Sequence, residues 1–206
     1  MGKADRFQAA MRRARPTGLR VLEAYSPKLD RRLQRFGEAS FEQWVRLEAD
    51  PTIQTFCERP LDLQCENGVL HIDFWVRQGD REILLVMADT CAVRSATVGN
   101  IELEIVAIPS AELAASRMWT VNWKRMLMVM TCCRKVVPRT LQQSILKFVD
   151  EPMQISRIER EFGIGDPTLV RAAVFNLLHA GELQAPKLHT EELSFLTSIQ
   201  PIGERS

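Results

Sequence analysis

The sequence predicts an α/β fold in two parts, a larger domain over residues 1–135 and a smaller one over 136–206. Three observations carry this. Short apolar or alternating runs separated by turn residues fill 52–108 and read as strands. Helical periodicity flanks them at 39–49 and 118–134. From Val136 onward three short helical patterns are followed by two strand-like runs. The chain has 206 residues, 46% of them hydrophobic and 26% charged, enough apolar material for a core without disulfide support.

At the N-terminus, residues 3–14 place Phe7, Ala10, Met11 and Ala14 at helical spacing, and Pro16-Thr17-Gly18 ends that pattern. Pro27 argues against continuous helix over 19–36, so a short extended piece followed by a helical turn near Leu29–Phe36 is expected. Ser40 with Gln43 three residues later forms a capping-box pattern, which places Glu42 in the first turn of a helix over 39–49. Thr52–Glu58, Leu61–Cys65 and Val69–Arg77 read as strands, with Asn67-Gly68 as the hairpin turn between the last two. Asp73 then falls mid-strand beside Phe74 and Trp75, where a carboxylate requires a partner or a cation. A turn at Gln78-Gly79-Asp80 leads to Glu82–Met87, a continuous apolar run expected to be a strand buried on both faces.

Thr90–Val98 is expected to cover the sheet as helix or loop. Ile101–Ile108 alternates as a further strand, and Ser110 starts a short helix after Pro109. Residues 118–134 form an apolar helix. Its longest apolar stretch is interrupted by Asn122, Lys124 and Arg125 and falls short of the roughly 20 residues that a membrane span needs. In the second part, helices are expected over Arg139–Val149, over Ile155–Phe162, and from Asp166 to about Ala180, the last with Asp166 as N-cap, Pro167 in the first turn and Gly181 as the stop. Leu183–Pro186 and Leu193–Ile199 are expected to pair as a small wing, completing a winged-helix pattern. One Arg on the third helix and acids in the wing favour protein contact over groove reading.

Charge is uneven. Residues 1–40 hold ten Lys or Arg against four acids, which makes Arg12, Arg13, Lys28, Arg31 and Arg32 candidate DNA-phosphate contacts, with a solvated basic face as the alternative. The five cysteines form no CxxC or Cys/His cluster and read as reduced core thiols of a cytoplasmic protein. A polar N-terminus without an apolar h-region gives no sign of a signal peptide. No phosphate-binding glycine loop and no Ser/His/Asp or Cys/His arrangement is present, which disfavours a small-molecule enzyme.

The order of motifs resembles the TnsA-type transposon endonucleases. The matching residues are Tyr25-Ser26-Pro27-Lys28 with Arg31-Arg32, Glu38-Ala39-Ser40-Phe41-Glu42, Ala49-Asp50-Pro51 through Phe56, Arg59-Pro60, His71-Ile72-Asp73-Phe74-Trp75-Val76, and Asn122-Trp123. The resemblance implies a restriction-endonuclease-like mixed sheet flanked by helices, followed by a winged-helix domain. It also implies metal-dependent DNA cleavage at transposon ends, with a separate transposase and an ATPase regulator as partners. Glu42 takes the acid position on the helix and Asp73 that on the hairpin, together holding Mg2+ as Lewis acid and water activator.

The third acid and the lysine of that site should fall on Leu85 and Met87, or on Met87 and Asp89; neither register supplies a lysine. Ile72 stands where the family has proline before its hairpin acid. The expectation is therefore an accessory subunit impaired in cleavage, with Mg2+ bound weakly or not at all. One alternative is an active endonuclease in which Asp89 or Glu82 supplies the third acid and His71 or Arg77 replaces the lysine. Another is a winged-helix DNA-binding regulator.

Overall fold

A computed structural model describes Phe7, Gly18 and residues 20–65, 68–163 and 166–203. The fold is mixed α/β and divides into two compact units. One comprises 1–47 with 52–115, the other 48–51 with 116–206. The apolar helix assigned from sequence to the first domain thus packs with the second unit.

The first unit opens with a hairpin, β1 (Val21–Ser26) against β2 (Arg31–Phe36). This replaces the expected helical turn. Pro27 begins a four-residue turn in which Ser26 Oγ accepts from the Leu29 amide at 3.1 Å and Asp30 adopts φ 49°. In β2, Leu33 and Arg35 turn inward while Arg32 and Gln34 face solvent, the period of two that a strand imposes.

Helix α1 (Glu38–Ala49) starts earlier than the capping-box pattern places it. Gly37 supplies the first accepting carbonyl, to the Phe41 amide, so Ser40 lies inside the first turn and its hydroxyl is free to accept from Arg35.

The central sheet has five strands in the order β3 (Ile53–Glu58), β6 (Phe74–Gln78), β7 (Arg81–Val86), β9 (Ile101–Ala107), β8 (Ser95–Val98). All neighbours are antiparallel except β7 and β9. A parallel pair ordinarily needs a helical crossover. Here the chain steps from the end of β7 past β9 to the outer edge, descends as β8 and returns as β9 through the Gly99-Asn100 turn. Ser95–Val98 is thus an edge strand, not the expected covering segment, and 87–94 is irregular. Leu84, Leu85 and Val86 are buried, as expected of a strand covered on both faces. A core of Ile72, Trp75, Leu84, Val86, Leu103 and Ile105 includes Phe7, whose ring lies 5.3 Å from that of Trp75. The rest of the expected N-terminal helix lies outside the described residues. The unit ends in α2 (Ser110–Ala115).

The expected strand 69–77 divides. β5 (Gly68–His71) pairs with β4 (Asp62–Cys65) as a separate ribbon, whereas β6 belongs to the central sheet. The partner changes between two residues: the Ile72 amide donates to Leu61, and the Asp73 amide donates to Leu85 at 2.9 Å. Asp73 sits at that junction.

In the second unit, α3 (Arg117–Cys133) and α6 (Pro167–His179) pack together with α4 (Arg139–Phe148) and α5 (Ile155–Phe162). Asp166 caps α6 through the Thr168 amide at 2.8 Å, ahead of Pro167, as the sequence indicates. Gly181 ends it with φ 70°; a Cβ there would stand 2.7 Å from Pro51 Cβ, so the position needs glycine for both conformation and space. A three-stranded sheet runs β10 (Met153–Gln154), β12 (Ser198–Pro201), β11 (Leu183–Gln184). Residues 193–197 form a turn, not the expected strand, because Ser194 and Thr197 bond each other and Leu193 is tied to Asn122.

Candidate functional site

Asp73 is held by its own backbone and by the next strand. Its carbonyl accepts from the Arg59 amide at 2.8 Å, and its Oδ2 accepts from the Met87 amide at 2.7 Å. Burial pushes the carboxyl above the ordinary carboxylate range, against the Met87 hydrogen bond and the nearby charges of Arg35, His71 and Arg59. β7 and the residue just past it therefore contribute main chain to Asp73. Leu85 is buried and accepts the Asp73 amide, and Met87 is half-buried.

Arg35 and Glu58 complete the cluster. Arg35 is 1% exposed, with its guanidinium carbon 4.2 Å from the centroid of the Phe74 ring and its Nη2 donating to Ser40 Oγ. Its Nε and Nη1 are buried without a hydrogen-bond partner. Burial pulls its pKa down to about 10, offset in part by Glu58 and Asp73. Glu58, cross-strand from Phe74, takes both terminal nitrogens of Arg31 at 2.6 Å, a bidentate pair that holds the Arg31 pKa above its ordinary value. Arg59 stacks over Phe36 at 5.3 Å in a left-handed conformation.

The candidate residues come together only in part. Glu42 is half-buried on α1. Residues two apart do not share a helix face, so Glu42 lies on a different side from Ser40, the contact to Arg35. Asp89 is exposed and committed to the start of α2: its Oδ1 accepts from the Ser110 amide at 2.9 Å and hydroxyl at 2.8 Å, which lowers its pKa. Glu82 accepts from the Trp75 indole at 3.1 Å, His71 faces Asp62 across the β4–β5 ribbon at 2.9 Å, and Arg77 donates to the Gly79 carbonyl. None of these alternatives is positioned by a bond to Asp73. Lys28 donates to the Leu47 carbonyl at 2.7 Å, capping the end of α1. Arg31 belongs to Glu58, Arg32 is exposed, and Arg12 and Arg13 lie outside the described residues.

The chemistry of this donor set does not fit a divalent cation. Arg31 pairs with Glu58, and the charges of Arg35 and Arg59 act on Asp73, so three positive groups bear on these two carboxylates. Among the described residues no three His, Cys, Asp or Glu side chains gather in a group that could hold a metal ion. Sequence reading missed Arg35 and Glu58. Strand alternation in Arg31-Arg32-Leu33-Gln34-Arg35 was the available signal for Arg35; for Glu58 there was only its place before Arg59-Pro60.

In the second unit, Asn122 is fully buried. Its amide donates to the carbonyls of Leu188 at 2.9 Å and Glu191 at 2.8 Å, and its oxygen accepts from the Leu193 amide at 2.8 Å. It anchors the segment 188–193 to α3. Helix α6 buries Val170, Ala172, Ala173, Val174, Phe175 and Leu177, and Arg171 on its exposed side pairs with Glu159. Among the described residues no helix is long and apolar enough to cross a membrane. No protein-family model and no curated protein sequence matches this chain.

Proposed function

We propose that this chain is a DNA transposition accessory subunit of the TnsA type. It acts at transposon ends beside a separate transposase and an ATPase regulator, with its nuclease-type scaffold retained and its own cleavage impaired. The carrying observation is the Met87 amide bound to Asp73 Oδ2. The strand that would bring a third acid and a lysine brings a backbone N–H and two apolar side chains in their place.

Other features support the same reading. An acid-bearing helix, three antiparallel strands with Asp73 at the head of the middle one, and a further strand parallel to the third follow the order that the resemblance implies. The second unit follows the winged-helix order of helix, strand, helix, helix and two strands, with the last strand central in its sheet. The burial of α6 and the Arg171–Glu159 pair favour protein contact by that domain and weigh against a groove-reading regulator.

The test is fluorescence anisotropy on transposon-end duplexes across a salt series, with co-purification of a candidate transposase. Salt-sensitive binding and a stable complex are expected. A chain that neither binds duplex nor retains the transposase would contradict the proposal.

A further inference from the structure

We propose that Arg35 is the built-in cation of the Asp73 site, standing where a nuclease-type core would hold a divalent ion beside its carboxylates. The comparison with a metal rests on the proposed nuclease scaffold; the electrostatic role of Arg35 does not.

A guanidinium that is 1% exposed requires opposite charge nearby, because an isolated buried ion is severely penalised. Glu58 and Asp73 are the two carboxylates that act on Arg35. Glu58 is already bound by both terminal nitrogens of Arg31, whereas Asp73 receives one backbone amide through Oδ2 and the surrounding positive charge. Arg35 Nε and Nη1 have no hydrogen-bond partner, so this charge is balanced through space and not by a fixed ion pair.

The side chain also ties elements together as a bound ion would. It leaves β2, donates to Ser40 on α1 and lies over Phe74, the residue next to Asp73 on β6. A divalent ion entering beside three guanidiniums would meet net repulsion at short range in a poorly screened setting. The guanidinium is charged at neutral pH and can stack on an aromatic face, so it fills this role without exchange with solvent.

The experiment is a thermal-unfolding cycle on the full chain with wild type, Arg35→Met, Asp73→Asn and the double variant, each in chelator and in millimolar Mn2+. Wild type is expected to melt at the same temperature in both. Arg35→Met melts lower and gains a Mn2+-dependent rise in Tm that the double variant lacks. Asp73→Asn raises the Tm of Arg35→Met by about 4 °C more than it changes that of wild type. Equal shifts in the two backgrounds, or a wild-type Tm that rises with Mn2+ and loses the rise in Asp73→Asn, would overturn the proposal. If Arg35→Met does not fold, Arg35→Lys carries the test: folding without metal supports the built-in cation, and dependence on Mn2+ overturns it. Duplex binding by wild type in the same buffers separates the two readings, since its loss would sink the nuclease-scaffold reading and leave the thermal cycle intact.

Discussion

The Met87 backbone amide donates to Asp73 Oδ2 at 2.7 Å. The bond belongs to the main chain, so the identity of side chain 87 does not release the carboxylate. Introducing an acid–lysine pair by Leu85→Glu with Met87→Lys is therefore expected to give no Mg2+- or Mn2+-dependent cleavage. Leu85→Glu alone should cost about 3 kcal/mol, because position 85 is buried. Met87→Lys should stay within about 1 kcal/mol, because a half-buried stem can carry its ammonium to water. Plasmid nicking and urea unfolding of the three variants measure both parts; cutting by the double variant would show that side chains alone had been missing.

The pH dependence of stability has a defined sign at Asp73. Burial raises its folded pKa above the unfolded value. Between those two values the native chain holds a proton that the unfolded chain has released, so this group's contribution to stability falls as pH rises through that window. Below the window both forms are protonated, so the slope vanishes and the contribution stays at its full value. Thermal unfolding across the acidic range should show this slope in wild type and not in Asp73→Asn. Identical slopes in the two proteins would mean that the carboxyl titrates alike folded and unfolded.

Asn122 belongs to the motif that carries the resemblance, yet its three hydrogen bonds are all to backbone of the 188–193 segment. Asn122→Ala leaves two carbonyls and one amide to find other partners and should destabilise the chain by about 3 kcal/mol. Asn122→Asp removes both donors and should be no better tolerated. Urea unfolding measures the loss, and hydrogen exchange at the Leu193 amide locates it.

Much of the scaffold was legible because local signals and tertiary demands coincide. Asp166-Pro167 and Gly181 frame α6 as they would frame an isolated helix, and Gly79-Asp80 turns β6 into β7. Reading failed where partners are remote. Nothing between Val69 and Arg77 announces that Ile72 bonds Leu61 while Asp73 bonds Leu85. The β1–β2 hairpin was masked by Pro27, which forbids helix without saying that a four-residue turn follows. At the site, the apolar character of Leu85 and Met87 could be read directly. The buried Arg35 could not, because its place depends on Phe74 and Ser40 meeting it from two separate elements.

The most direct test of the proposed function is cleavage of end-labelled transposon-end DNA by the full chain with a candidate transposase present, in Mg2+ and in Mn2+, comparing wild type with Asp73→Ala. The expected result is DNA bound with no cut attributable to this chain, and no difference between the two proteins in strand breakage. Cleavage by wild type that vanishes in Asp73→Ala would contradict it and establish Asp73 as part of a working nuclease.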